Sequence, residues 1–314
     1  MGCQPDIITL TTLLKGQCIN TNVREALVFH NDILTKGFQL DEVSYGTLID
    51  GFCKIGKTSA ALELLRKMET GLVKPGLVIY NTVIDGLCKE GLAIEAKKLY
   101  HEMTERGISR DIITYNSLIY GFCCMDQWQE ATWLLNKMGL EGITPCIYTF
   151  NILVDAFCKK GCITKAEAIV GRMMKSSIKP DVISYSALMD GYCMMNNVDE
   201  SKKVLHRMKS DVLPDVFSYN ILINGLCKMK RIGEAMDLFQ EMQCKGLFPD
   251  IVTYNTLIDG LFKSGKISNV QELIYDMHDS GHLPDIVTYN VLLMDCARAS
   301  ILMKQLCYSK KWVS

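Results

Sequence analysis

The chain repeats itself every 35 residues over most of its 314-residue length. The clearest marker is an aromatic residue followed by a small or short polar one, recurring in steps of 35 residues apart from one step of 34. The markers are Tyr45-Gly46, Tyr80-Asn81, Tyr115-Asn116, Phe150-Asn151, Tyr185-Ser186, Tyr219-Asn220, Tyr254-Asn255 and Tyr289-Asn290. Such a period predicts one supersecondary unit stacked many times, because a single unit cannot bury its own apolar face.

Each unit is predicted to be a pair of antiparallel helices. In residues 77–111 the apolar positions of the first half fall at i, i+3, i+4, i+7 and i+8, which is one stripe of a helix. A second stripe follows in the second half, and Gly91 and Gly107 are predicted to end the two helices. The unit is therefore a short helix-turn-helix.

Counting from the residue after each Pro-Asp divides the chain into units. Eight complete units are predicted at 7–41, 42–76, 77–111, 112–146, 147–181, 182–215, 216–250 and 251–285. Residues 1–6 are expected to be the tail of a truncated repeat. Residues 286–314 are expected to form a partial ninth repeat and a divergent tail, which is either a cap or the abrupt end of a gene model.

Composition narrows the function classes. Lys and Arg (34) nearly balance Asp and Glu (35), which argues against general electrostatic binding of nucleic acid.

Seven cysteines occupy the same position of successive units: Cys18, Cys53, Cys88, Cys123, Cys158, Cys193 and Cys227. Equivalent slots lie one repeat apart, roughly 10 Å, beyond disulfide reach, so we expect small buried hydrophobes. The five histidines form no ligand cluster, and no apolar run could span a bilayer, so neither a metal, a cofactor nor a membrane is expected.

The segment DIVTYNTLIDGLFKSGKISNVQELIYDMHDSGHLPD resembles the pentatricopeptide repeat family in its pure 35-residue form, the P-type. The resemblance covers about residues 4 to 300. The tetratricopeptide family has a period of 34, and its Trp, Leu-Gly and Tyr pattern is missing here. The GLCK and GFCK strings resemble the subgroup that includes plant fertility-restorer proteins. The resemblance implies an all-α fold, a right-handed α-solenoid of tandem helix-turn-helix repeats of 35 residues.

The same resemblance implies binding of single-stranded RNA, one nucleotide per unit, with the base selected by the fifth and the last residue of each unit. Four pairs resemble uracil readers: Asn81 with Asp111, Asn151 with Asp181, Asn220 with Asp250, and Asn255 with Asp285. Two pairs resemble guanine readers: Thr11 with Asp41, and Ser186 with Asp215.

The remaining units depart from the family's pairs. Asn116 with Cys146 implies a pyrimidine, and Gly46 with Gly76 implies no base choice. Asn290 begins a ninth site without an identifiable partner. With the N-terminal unit at the 5′ end, the implied site is 5′-GNUYUGUU-3′.

Two further rows complete the implied interface. In the family, the second residues of adjacent units sandwich the base. These are Ile8, Val43, Val78, Ile113, Tyr148, Ile183, Phe217, Val252 and Val287, all of them apolar. Late in the first helix, one slot holds Lys54, Lys89, Lys159, Lys228 and Lys263, a ladder suited to phosphates. Aspartates lie four residues earlier in most of these helices, so a plain solvated face stays open as an alternative.

The leading hypothesis is a sequence-selective binder of an organellar transcript, mitochondrial or alternatively chloroplastic, that acts in RNA processing, stability or translation. The alternatives are a protein-binding α-solenoid scaffold and a truncated, non-functional copy. An enzyme is not expected. The chain has no His-x-Glu with a Cys-x-x-Cys, which excludes a zinc deaminase, and catalysis would have to come from a partner protein. No targeting peptide is recognised at the N-terminus.

Overall fold

The computed structural model describes residues 6–19, 23–38, 40–266 and 268–296. These residues form seventeen α-helices, with no strand among them. The first helices of the units are α1 (Ile7–Ile19), α3 (Glu42–Lys54), α5 (Leu77–Lys89), α7 (Ile112–Cys124), α9 (Ile147–Lys159), α11 (Val182–Met194), α13 (Val216–Lys228), α15 (Ile251–Lys263) and α17 (Ile286–Cys296). The second helices are α2 (Val23–Thr35), α4 (Thr58–Thr70), α6 (Ala93–Glu105), α8 (Trp128–Leu140), α10 (Ile163–Lys175), α12 (Val198–Asp211), α14 (Ile232–Cys244) and α16 (Ser268–Asp279). Residues 1–5 of the expected N-terminal remnant, and the tail after residue 296, lie outside the described residues.

The chain divides into two compact units, Met1–Leu153 and Val154–Ser314. In the first, α1, α3, α5 and α7 contact one another in chain order, and in the second α11, α13, α15 and α17 do the same. Second helices pack on the first helix of their own repeat and on that of the next, as α4 does on α3 and α5 and as α12 does on α11 and α13. The predicted all-α architecture of tandem helix pairs is confirmed.

Local sequence explains where the helices begin and end. An aspartate at the end of one repeat caps the first helix of the next: Asp41 accepts from the Ser44 N–H at 2.9 Å, and Asp111 from the Thr114 N–H at 3.0 Å. Such a cap contributes about 1 kcal/mol. Gly91, with φ of 76°, follows the first helix of its repeat in the left-handed conformation that the sequence predicts.

The core contains the repeating apolar residues. The second helices carry a small residue, such as Ala96, and a methionine in the last turn, such as Met103. Almost all of these residues are fully buried, so the methionines are part of the core. The aromatic marker is buried in six units, from Tyr80 to Tyr254. Where this buried marker is a tyrosine, its hydroxyl donates to a carboxylate of a neighbouring second helix or of the turn that follows that helix. Tyr80 donates to Glu69 at 2.7 Å, and Tyr115 to Glu141 at 2.6 Å. These bonds satisfy the polar end of a buried ring.

The cysteine slot is part of a close contact between neighbouring first helices. A Cβ added to Gly86 would lie 2.6 Å from Cys53 Sγ, and one added to Gly121 would lie 2.5 Å from Cys88 Sγ. The same contact recurs in the second unit between Gly225 and Cys193. Burial raises the pKa of the Cys53 and Cys88 thiols to about 12, so they are neutral. The cysteines of this position in six successive repeats are free thiols: Cys53, Cys88, Cys123, Cys158, Cys193 and Cys227.

Candidate nucleic-acid interface

Within each compact unit, the second residues of the repeats form a row of exposed apolar side chains. Their exposed fractions lie between 49% and 72%, with Val287 at the lower and Val78 at the upper limit. Neighbouring positions of the same helices, such as Tyr80 and Val83, are fully buried. These side chains are therefore not core residues of the helix start. A regular row of exposed apolar groups indicates a binding surface.

Three grooves bring the predicted residues together, each within one compact unit. A cavity of about 870 Å³ in the first unit is lined by Ile8, Val43 and Val78 together with Thr11 and Asp41. A smaller one of about 460 Å³ is lined by Ile113, Tyr148 and Asn116. In the second unit a cavity of about 970 Å³ is lined by Ile183, Phe217 and Val252 with Ser186, Asp215, Asn220 and Asp250. In each cavity, exposed apolar residues and polar residues of the predicted interface thus line the same space.

The Asn–Asp pairs are held in a fixed orientation. Asn81 Nδ2 donates to Asp111 Oδ1 at 3.0 Å, and Thr114 Oγ1 donates to Asn81 Oδ1 at 2.6 Å. Since a carboxylate only accepts, the amide nitrogen must face Asp111, which fixes the direction of the amide. The arrangement recurs as Asn220–Asp250–Thr253 and Asn255–Asp285–Thr288, with Asn–Asp distances of 3.0 and 3.2 Å. The aspartates therefore both cap a helix and orient the asparagine.

These bonds leave one donor and one acceptor for a ligand. In each network the asparagine has a second amide hydrogen, because only one is used by the aspartate. Among the described residues, no side chain donates a hydrogen bond to Oδ2 of Asp111, Asp250 or Asp285. Burial alone would raise the pKa of Asp111, but hydrogen bonds from Thr114 and Asn81 outweigh it and hold that pKa below its ordinary value. The acceptor is an ionised carboxylate.

In the units whose fifth residue is threonine or serine, this residue presents a hydrogen-bond acceptor, whereas asparagine presents a donor. Ser218 Oγ donates to Asp215 Oδ1 at 2.8 Å, so its hydrogen is used. Ser186 Oγ, 3.2 Å from Ser218 Oγ, must therefore donate to it, and its own oxygen can only accept further bonds. Thr11 lies 2.7 Å from Ser44 Oγ, which donates to Asp41. An asparagine unit offers a donor at the fifth residue, whereas a threonine or serine unit offers an acceptor.

Three other predicted sites differ from these networks. Asn116 Oδ1 accepts from Thr149 at 2.7 Å, and the Cys146 thiol occupies the position of the missing carboxylate, 3.5 Å from Thr149 Oγ1. Asn151 and Asp181 lie in different compact units, and each is buried or half-buried there. Asn290 is exposed, with no hydrogen-bond partner among the described residues.

Sequence reasoning missed the hydroxyl that orients the predicted base-reading residue of the preceding unit. It is the third residue of seven units, fully buried in each. These residues are Ser44, Thr114, Thr149, Ser184, Ser218, Thr253 and Thr288. The signal was present, because a hydroxyl recurs directly before the aromatic marker at a position where a helix buries its face.

Four of the five lysines in the predicted ladder form ion pairs. Lys54, Lys89, Lys159 and Lys263 each lie 2.6 or 2.7 Å from the aspartate four residues earlier. Lys228 has Asn224 at that place instead, and it forms no ion pair with any described residue. Exposed pairs contribute little to stability, so a phosphate could displace the aspartates at small cost.

Other kinds of site find no support within the part of the chain that the structure describes. No group of three or more His, Cys, Asp or Glu residues there is placed to hold a metal ion. No helix in that part is long and apolar enough to cross a membrane.

Models of one protein family match most of the repeats. A model of the PPR repeat family matches residues 75–124, 110–159, 145–194, 214–262 and 249–298, and two PPR repeat models match 36–69 and 183–211. No curated protein gives a significant match.

Two solved structures resemble the whole chain. The crystal structure of the pentatricopeptide repeat protein PPR10 from maize has a TM-score of 0.77 and 26% identity, covering 97% of this chain and 43% of that one. PPR10 in complex with an 18-nt psaJ RNA element gives 0.73 and 25%, covering 96% and 44%. The chain thus spans less than half the length of these structures. With family models matching well over half of its residues, the chain belongs to the pentatricopeptide repeat (PPR) family.

Proposed function

We propose that this protein binds single-stranded RNA along the row of exposed second residues, with one nucleotide per repeat. The observation that carries the proposal is the recurrence, unit after unit, of an exposed apolar residue beside an oriented polar pair. The structure of PPR10 with an RNA element supports the proposal, since that protein resembles this one along nearly all of the chain.

The exposed row would supply most of the affinity. Two flat apolar side chains, such as Val43 and Val78, can stack on the two faces of one base without selecting its identity. Stacking is worth about 1–3 kcal/mol per base, although ordering a flexible RNA offsets part of that sum. Tyr148 and Phe217, both more than half exposed, offer the largest stacking surfaces.

The polar pairs would supply selectivity. In an asparagine unit the remaining amide hydrogen can donate to a uracil carbonyl, and the free aspartate oxygen can accept from uracil N3–H. Adenine presents a donor where uracil presents its O4 carbonyl and an acceptor where uracil has N3–H, so it cannot satisfy both groups. In a threonine or serine unit the fifth residue accepts, which suits the N–H groups of guanine. The proposed site is 5′-GNUYUGUU-3′, its 5′ end at the N-terminal unit.

Phosphate contacts are assigned to the row of Lys54, Lys89, Lys159, Lys228 and Lys263. Four of the five already pair with aspartates, so at these four lysines an RNA phosphate would replace a carboxylate instead of binding an unpaired cation. Binding is therefore proposed to depend more on stacking and hydrogen bonds than on charge, which agrees with the near-zero net charge.

The proposal is tested by measuring the affinity of the full chain for two labelled octamers by fluorescence anisotropy. The first is 5′-GGUCUGUU and the second is 5′-GGACAGAA, in which every uracil becomes adenine. We expect at least a hundredfold weaker binding of the second, since four mismatches at 1 kcal/mol or more add up. Equal affinities would contradict the base assignments. A bound protein partner that survives ribonuclease treatment, with no RNA affinity, would instead favour the scaffold function.

The cellular role follows from the same proposal. A non-catalytic RNA binder acts by occupying, protecting or remodelling a transcript, and any cleavage would come from a partner protein. We place it in an organelle, the mitochondrion first and the chloroplast as the alternative. Fractionation of tissue expressing the full gene product, followed by sequencing of the co-purified RNA, tests both the compartment and the predicted octamer.

A further inference from the structure

The second repeat lacks the polar network of the others at three positions together. Its fifth residue is Gly46, its last is Gly76, and the buried hydroxyl of the following unit is replaced by Ile79. A Cβ added to Gly46 would lie 3.0 Å from Ile79 Cδ1, so the isoleucine fills the space beside the glycine. From these residues alone the repeat has nothing that could bond to a base.

Glu42 restores a carboxylate to this site. It is the first residue of the repeat, a slot that is aliphatic in every other unit. The other residues in that slot are Ile7, Leu77, Ile112, Ile147, Val182, Val216, Ile251 and Ile286. Glu42 Oε1 accepts a hydrogen bond from the Gly76 N–H at 3.0 Å, and it lies 2.7 Å from the point where a Cβ of residue 76 would be. The Glu42 carboxylate therefore occupies the place where the aspartate side chain begins in the other repeats.

The surroundings of this carboxylate belong to the groove. Glu42, Val43, Gly46 and Val78 all line the same 870 Å³ cavity of the first compact unit. Glu42 is exposed, and among the described residues it forms no ion pair, while its Oε2 accepts no hydrogen bond.

Resting on the proposed RNA binding, we propose that Glu42 is the base-reading residue of the second repeat and that it selects guanine. A carboxylate has two acceptor oxygens and no donor. On its Watson–Crick edge guanine presents two adjacent donors, N1–H and the exocyclic amino group, which match two carboxylate oxygens side by side. Adenine and cytosine present one donor beside an acceptor, and uracil presents one donor between two acceptors. The site thus becomes 5′-GGUYUGUU-3′, whereas the glycines alone imply no choice at the second nucleotide.

A purely structural role for Glu42 makes a different prediction. Gly76 provides no side-chain cap for α5, so the hydrogen bond that it donates to Glu42 could serve only to satisfy the N–H of this N-cap residue. In that case Glu42→Gln would alter stability or leave it unchanged, but it would not alter which nucleotide binds best at one position.

The test compares four octamers, 5′-GXUCUGUU with X as G, A, C or U, by fluorescence anisotropy. For the native chain we expect the G octamer to bind about tenfold more tightly than each of the others. In Glu42→Gln the amide oxygen can still accept from Gly76 while the amide nitrogen replaces an acceptor with a donor, so this guanine preference should disappear. The control Glu63→Gln, an exposed carboxylate of α4, should keep it.

The outcomes separate this inference from the function on which it rests. Equal affinities of the native chain for the four octamers, with the uracil preference at the other positions intact, would overturn the role of Glu42 alone. Failure of all octamers to bind would overturn both proposals. A circular dichroism melting curve shows whether Glu42→Gln is folded, and the native series decides the question even where it is not.

Discussion

Replacing Gly121 with alanine tests whether the close contact between neighbouring first helices is as tight as the structure indicates. The new Cβ would lie 2.5 Å from Cys88 Sγ, 2.7 Å from Cys88 Cβ and 3.2 Å from Ala93 Cβ. Cys88 and Ala93 are fully buried, so neither can move into solvent. Overpacking of this kind costs about 1–3 kcal/mol, and two contacts below 3 Å place the cost at the upper end.

The alanine also gains about 1 kcal/mol of helix propensity over glycine, so the net loss of unfolding free energy should be about 2 kcal/mol. Gly139 provides the matched control. It lies in α8 of the same compact unit, and a Cβ there would meet nothing within 4 Å. Gly139→Ala should therefore stabilise the protein by up to about 1 kcal/mol.

The assay is urea unfolding of the three proteins followed by circular dichroism, comparing midpoints at equal slopes. We expect the midpoint to fall for Gly121→Ala and to rise for Gly139→Ala. A midpoint for Gly121→Ala equal to or above that of the native chain would refute the contact as the reason for the glycine.

Two further predictions concern ionisation and thiol reactivity. The pKa of Asp111 lies below its ordinary value of 3.8, so the unfolded chain takes up that proton at a higher pH than the folded one. The free energy of unfolding should be constant near neutral pH and decrease below about pH 4. Urea midpoints measured across this pH range should decrease less for Asp111→Asn than for the native chain. An equal decrease in both proteins would contradict the linkage. The Cys88 thiol, buried and with its pKa raised to about 12, should resist iodoacetamide in the folded protein, while the exposed Cys124 reacts. Mass spectrometry with a urea-unfolded control locates the labels, and rapid labelling of Cys88 in the folded chain would contradict its burial.

Most of the fold could be predicted because the same pattern of apolar residues and glycines recurs from repeat to repeat. The apolar spacing of Tyr80, Val83 and Ile84 predicts one helix, and Gly91 predicts its end; both are observed. The burial of the cysteine slot also follows from its recurrence, but the reason for the neighbouring Gly121 does not. That reason is a contact between residues one repeat apart, which no periodicity within a helix displays.

The candidate site was only partly accessible from the sequence. The slots of Asn81 and Asp111 come from the family resemblance, yet their mutual bond and the orienting Thr114 hydroxyl depend on three-dimensional placement. A comparison of equivalent repeat positions could not identify Glu42, because it supplies its carboxylate from a different position of the repeat. A substitution that acts through space is invisible to a pattern that compares equal positions.

The central claim is that the fifth residue of a repeat selects the base through the polarity of its free hydrogen-bonding group. Asn220→Ser tests it most directly, because Thr253 remains to orient the new hydroxyl as Ser218 orients Ser186. With octamers that differ only at the seventh nucleotide, the native chain should prefer uracil and the variant guanine, each by about tenfold. The preference for uracil at the eighth nucleotide, assigned to Asn255, should stay unchanged in both proteins. An unaltered preference for uracil at the seventh nucleotide in Asn220→Ser would contradict the account.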